Sequence, residues 1–234
     1  MTTYKEIRGT NIEAVATDPS NPVEGQVWYN TTSNVLKGNA ATTAGSWASG
    51  GSMNTGRRQL AGAGVSSDAA LGFGGYLAPP PAAPSALCES YNGTSWTEVN
   101  DLNTARRMSA RAGASNTSGL IAGGYASPGY QAVVETWDGS SWTEVGDLNT
   151  ARDGGSGAGI VTAAIVAAGD TPPGTANTEV WNGSSWTEVN NLNTARMYAG
   201  STGLSSTDAL LFGGSPNGTP NLNNTELWLS LIHI

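Results

Sequence analysis

At 234 residues the chain is long enough to bury a core without disulfides or a structural metal, and with 12% charged residues and abundant Gly, Ser, Thr and Asn it favours short strands and turns over long helices. A formal charge of −8 and a pI near 4.5 argue against nucleic acid as a partner, because phosphate binding needs clustered Lys and Arg. One cysteine, Cys88, and one histidine, His233, exclude a disulfide framework and a thiolate or imidazole metal centre.

The chain opens without an apolar stretch in Met1 to Thr10, so no classical secretion signal is expected, and no apolar run approaches the ~20 residues of a membrane span. Residues 1–24 read as an arm that ends in a linker, Asp18-Pro19-Ser20-Asn21-Pro22, where proline biases the backbone away from helix. From Gly25 to Gly38 the sequence reads as a hairpin, Gln26-Val27-Trp28-Tyr29-Asn30 returning through Asn34-Val35-Leu36-Lys37. It would be either the last two strands of a partial first repeat or a separate hairpin.

A repeat then takes over. Ser95-Trp96-Thr97-Glu98-Val99-Asn100-Asp101-Leu102-Asn103-Thr104-Ala105-Arg106 recurs from Ser141 to Arg152 and from Ser185 to Arg196, and a worn copy runs from Ser46-Trp47 to Asn54 and Arg57. Ahead of each later Trp stands a Glu, at Glu89, Glu135 and Glu179, and after each Arg a small apolar stretch leads to Gly74-Gly75, Gly123-Gly124, Ala168-Gly169 or Gly213-Gly214. Each unit reads as four short strands. Strand a is Ala110 to Ser115, strand b is Leu120 to Gly123, and c and d are the hairpin Val133 to Trp137 and Trp142 to Val145 around Asp138-Gly139, a strong hairpin signal. Cys88 shares its slot in strand c with Val134, Thr178 and Thr225 and reads as a small buried side chain. Such a sheet cannot bury both faces alone, so copies must stack face to face about an axis. The recurring Trp is expected between neighbouring sheets, and the recurring Arg is expected to tie down backbone carbonyls.

The last copy breaks off after Glu226-Leu227-Trp228. The repeat calls for a Trp at position 233, and the chain has Leu229-Ser230-Leu231-Ile232-His233-Ile234. Residues 229–234 therefore read as a non-native tail, similar to translated adapter sequence, with residues 25–228 as the repeat domain.

Gly-Gly, then Glu with an aromatic two residues on, then Trp, then Arg beyond the loop, resembles the kelch repeat over about residues 46 to 228. The resemblance implies an all-β fold: a kelch-type β-propeller of four-stranded blades, related to the galactose oxidase-like propellers, with about four blades present as a truncated or open ring. Asp18-Pro19-Ser20-Asn21-Pro22, followed by Glu24-Gly25-Gln26-Val27-Trp28-Tyr29-Asn30, resembles the N-terminal region of kelch-like tail proteins of marine bacteriophages. That implies a phage tail protein of the virion, a binding or display module touching a host surface glycan or protein, with tail-fibre or self-assembly partners. The alternative is an intracellular, cytoplasmic kelch scaffold that binds a protein partner.

Catalysis finds no footing in the residues. The copper oxidase chemistry of galactose oxidase needs paired His, and a Ser hydrolase needs a base. His233, in the doubtful tail, supplies neither. Gly154-Gly155-Ser156-Gly157-Ala158-Gly159 fits no nucleophile or phosphate motif, and Glu98, Glu144 and Glu188 recur at a solvated rim. No enzyme, cofactor, metal or membrane insertion is expected. What varies between repeats is the b–c loop, Tyr76 to Ala86, Tyr125 to Ala132, Asp170 to Asn177 and Ser215 to Asn224, whereas Trp-to-Arg is constant. Because b–c and d–a loops leave the same side, a varied loop set on a rigid scaffold suits recognition. Tyr76, Tyr125, Tyr130 and Asp170 are the expected contact residues.

Overall fold

The computed structural model describes residues 6–7, 10–20, 26–38, 48–78, 82–217 and 220–230. These residues form strands, turns and loops without any helix, and the chain divides into two compact units, residues 1–49 and 50–234.

In the first unit β1 (Glu6–Ile7) pairs with β2 (Thr10–Asn11). A second sheet joins β3 (Glu13–Val15), β4 (Val27–Asn30) and β5 (Val35–Gly38), with β3 parallel and β5 antiparallel to β4. The expected hairpin is therefore present, but residues expected to be plain arm supply its third strand. Asp18 explains why. Its carboxylate accepts the Trp28 indole N–H at 3.0 Å, the Asn30 amide at 2.7 Å and the Lys37 ammonium at 2.7 Å, tying the arm to both hairpin strands. The hydrogen bonds from Lys37, Trp28 and Asn30 hold its carboxyl down at about 2.

In the second unit the strands are β6 (Arg57–Arg58), β7 (Ala61–Ser66), β8 (Ala69–Phe73), β9 (Tyr76–Leu77), β10 (Cys88–Tyr91) and β11 (Trp96–Val99). They continue as β12 (Ala110–Ser115), β13 (Ser118–Ala122), β14 (Tyr125–Ala126), β15 (Gly129–Tyr130), β16 (Val134–Trp137) and β17 (Trp142–Val145). The last are β18 (Ser156–Ile160), β19 (Ala163–Ala167), β20 (Thr178–Trp181), β21 (Trp186–Val189), β22 (Gly200–Ser205), β23 (Asp208–Phe212) and β24 (Thr225–Leu229). Three four-stranded antiparallel meanders result, β7-β8-β10-β11, β12-β13-β16-β17 and β18-β19-β20-β21, followed by the three-stranded β22-β23-β24. The a, b, c and d strands fall where the repeat places them. Leu229, the first residue of the expected tail, stands at the end of β24 and pairs with Asp208. His233 and the worn copy's Trp47 lie outside the described residues.

The c–d turns form because Asn92, Asp138 and Asn182 each use Oδ1 to accept two backbone N–H groups, at 2.8 to 3.0 Å, while the following glycine takes positive φ. Successive sheets pack face to face with their a strands adjacent, β7 against β12, β12 against β18 and β18 against β22. Trp142 sits between the first two sheets, 6% exposed, its ring 4.9 Å from Phe73. Around it lie Ala61, Ala63, Leu71 and Cys88 of the first sheet and Ile121 and Trp137 of the second. Burial pushes the Cys88 thiol up to about 12, which keeps it protonated and inert. Trp186 repeats the arrangement one sheet on, among Ala112, Leu120, Ala164 and Val166.

The linkers from strand d to the next strand a weld the stack. Leu102 N–H bonds back to Ala86 and Arg106 N–H back to Ser85, both beside the first sheet. Forward, the Asn103 and Thr104 N–H groups reach the Glu135 carboxylate in β16, and Arg106 bonds the Val133 carbonyl and pairs with Glu135 at 3.0 Å. Arg57–Glu89, Arg152–Glu179 and Arg196–Glu226 repeat this at 2.9, 2.5 and 2.5 Å. The expected carbonyl-tying role of the Arg holds, and the recurring Glu is its ionic partner, which the sequence reading left unassigned. The constant Trp-to-Arg spacing follows, since the linker must reach from one sheet to a fixed carboxylate in the next.

The paired glycines answer a close backbone approach at positive φ. Gly123 and Gly124 lie just beyond strand b at φ 63° and 107°, and a Cβ on Gly123 would sit 2.6 Å from the Arg152 carbonyl oxygen. Gly124 N–H donates to that same carbonyl. Ala168, in the Gly slot of the third repeat, takes φ 65°.

Candidate functional site

The residue after each linker Arg pairs, across a short ladder, with the residue after each glycine pair. Arg58 faces Tyr76, Arg107 faces Tyr125, Asp153 faces Asp170 and Met197 faces Ser215. Antiparallel partners project to the same side, so eight variable side chains from four repeats converge on one end of the stack. The next residue in each repeat, Gln59, Met108, Gly154 and Tyr198, takes φ between 54° and 58°. In that shape Met108 N–H donates to Gln59, Gly154 to Met108 and Tyr198 to Gly154, a backbone chain that runs from sheet to sheet. Leu60, Met108, Ser109, Gly155, Tyr198 and Ala199 take part in lining a concavity of ≈ 420 Å³ beside this chain.

All four residues expected from sequence meet in this band. The Arg107 guanidinium lies between two rings, 4.8 Å from the Tyr76 centroid and 4.9 Å from that of Tyr125, and donates to Gln59 Oε1 at 2.9 Å. Arg58 covers Tyr76 from 5.2 Å. Tyr125 and Tyr130 meet edge to face at 6.1 Å across the β14–β15 ribbon, and the Tyr130 hydroxyl donates to Asp170 Oδ2 at 2.9 Å. That hydrogen bond pushes the Tyr130 phenol up to about 12.

Sequence reasoning missed Arg58, Arg107, Asp153 and Tyr198. The signal was available: each stands one or two places beyond the invariant Arg, where the repeats diverge abruptly. Asp153 is 4% exposed, and burial, followed by the neighbouring Asp170 charge, raises its carboxyl to about 6 against the pull of Arg107. Tyr198 is half exposed, and its phenol is raised by burial and by Asp153 and Asp170. Several buried polar atoms here are unpaired within the protein: Arg107 Nε, Ser109 Oγ, Asp153 Oδ1 and Ser215 Oγ. A cation, a carboxylate and hydroxyls beside exposed and stacked aromatic rings can grip a polar ligand. The rim carboxylates Glu98, Glu144 and Glu188 are exposed on d strands and take no part. Among the described residues no group of three or more His, Cys, Asp and Glu side chains is placed to hold a metal ion, and no helix is long and apolar enough to cross a membrane. No protein-family model matches the chain, and no curated protein sequence matches it.

Proposed function

We propose that this chain is a kelch-type β-propeller array acting as a non-catalytic binding module, and that its ligand is a polar surface group, a glycan or a hydroxyl-rich protein segment, held at the Arg107–Tyr198 end of the stack. The observation that carries the reading is the convergence there of residues from every repeat, with unpaired buried donors and acceptors, on a scaffold otherwise repeated almost letter for letter. Unsatisfied buried polar atoms cost free energy, and a polar ligand that pairs with them lowers that cost. A place in a phage tail, with a host-surface ligand, rests on the resemblance of residues 18–30 to phage tail proteins.

The test is a glycan-array screen of the full chain followed by calorimetric titration of any hit. Arg107→Ala and Tyr198→Ala should each weaken binding by about tenfold or more, as expected of central Arg and aromatic anchors. Glu144→Gln, on the rim, should leave it unchanged. Binding that survives both site changes, or that is lost equally with Glu144→Gln, would place the ligand elsewhere.

A further inference from the structure

The two terminal sheets present the two halves of the interface that the chain already uses between its sheets. On the fourth sheet, Leu204, Phe212, Leu227 and Leu229 point to one side and are 76%, 45%, 66% and 53% exposed. Phe212 stands directly before its glycine pair, as Phe73 does, yet Phe73 is fully buried under Trp142 of the following sheet. The first sheet carries the opposite half. Tyr91 and Trp96 stack at 5.1 Å, as Trp137 and Trp142 do at 5.5 Å and Trp181 and Trp186 at 5.3 Å. Trp142 and Trp186 are buried against the sheet before them, whereas Trp96 is half-buried and edges a depression of ≈ 520 Å³ with Met53, Leu60 and Ser66.

Independently of the ligand reading, we propose that a second copy of this chain fills these surfaces head to tail, the Tyr91–Trp96 side of one copy seating on the Phe212–Leu227 side of the next. The occupant is argued from the chain itself. Its internal interfaces pair these same two kinds of surface, so each copy brings the complement of what its neighbour exposes. Apolar exposure of this kind drives association. The contact is heterologous, one surface against a different one, so it grows into a closed ring or a filament and never into a two-fold dimer through a single patch.

Size and mass of the full chain are to be measured by sedimentation and native mass spectrometry. Wild type should associate. Leu204→Glu with Leu227→Glu blocks the fourth sheet at side chains too exposed to disturb the core, and Leu60→Arg with Ser66→Arg blocks the first. Each blocked variant alone should be monomeric. Mixed one to one, the two variants retain one intact pair of surfaces and should form a heterodimer and nothing larger. Precipitation of wild type supports the proposal only if both variants stay dispersed and combine in this way. A wild-type chain that is monomeric at tens of micromolar overturns it, as does self-association of the variant blocked on the first sheet, which would mean like surfaces meeting. Melting curves check that the variants fold, and Leu229→Glu replaces the first pair if that pair lowers the Tm.

Discussion

At the scale of single residues, the buried Arg–Glu pairs and Asp153 make opposite contributions. Glu135 is fully buried and accepts from Asn103, from Thr104 and from the side-chain amide of Asn103 while it balances Arg106. Burial draws Arg106 down to about 10 against the pull of Glu135, so it stays charged near neutrality. Glu135→Gln should therefore cost about 3–5 kcal/mol in urea denaturation, the range for breaking a buried pair, and Glu98→Gln on the exposed rim about 0.5 or less. Replacing both Arg106 and Glu135 by Met should not recover wild-type stability, because the linker N–H groups lose their acceptor. A full recovery would reduce the Glu to a mere counter-ion. Asp153 runs the other way. Its folded carboxyl titrates near 6 against an ordinary 3.8, so between those values the folded state keeps a proton that the unfolded chain has lost. Stability from this group therefore falls as pH rises from 3.8 to 6 and is level above. Asp153→Asn should gain on the order of 1 kcal/mol at pH ~8, once solvent screening is allowed for, and almost nothing near pH ~4. Thermal melts at the two pH values measure the difference.

At the scale of elements, the unit of cohesion is a sheet and the Trp its neighbour receives. Trp142→Ala removes a side chain buried between two sheets and should cost about 3–5 kcal/mol, read from the denaturant midpoint. Trp96→Ala, on a half-buried side chain, should cost clearly less. Equal losses at both sites would show that position in the stack is irrelevant and that each Trp acts within its own sheet. Trp28 is buried in the first compact unit and bonded to Asp18. Its loss should cost less than that of Trp142 and leave the melting of the repeat sheets unchanged.

At the scale of the whole molecule, circular dichroism should report strand and turn with almost no helix. Cohesion falls off along the stack. The second and third sheets are packed on both faces, whereas the fourth, three strands with one apolar face exposed, is held on one face only. A linear array opens from its weakest unit. Amide exchange should therefore be fastest in β22 to β24 and slowest in β13 and β19, and self-association should slow the β22–β24 amides selectively. Uniform exchange across all four sheets would mean that the array unfolds as one cooperative block.

Strand identity, hairpin turns, sheet size and the inter-sheet Trp were all legible in the sequence. Each depends on local chemistry repeated in register: Asp-Gly or Asn-Gly turns, alternating apolar residues and a fixed Trp-to-Arg reach. The third strand beside the N-terminal hairpin was not legible, because Glu13–Val15 pairs in parallel with Trp28 to Asn30, 15 residues later in every pair, through a carboxylate that nothing local identifies. Nor was the Arg–Glu pairing, although both residues recur, since its partners lie about 30 residues apart and meet only when one sheet docks on the next. For the candidate site, the sequence by itself determined which loops vary and hence Tyr76, Tyr125, Tyr130 and Asp170. Only the tertiary structure decided that Arg107 stands between two of those rings and that Asp153 is buried against Asp170. Packing brings residues from different repeats to one end of the stack, where burial raises the Asp153 carboxyl and the hydrogen bond to Asp170 raises the Tyr130 phenol.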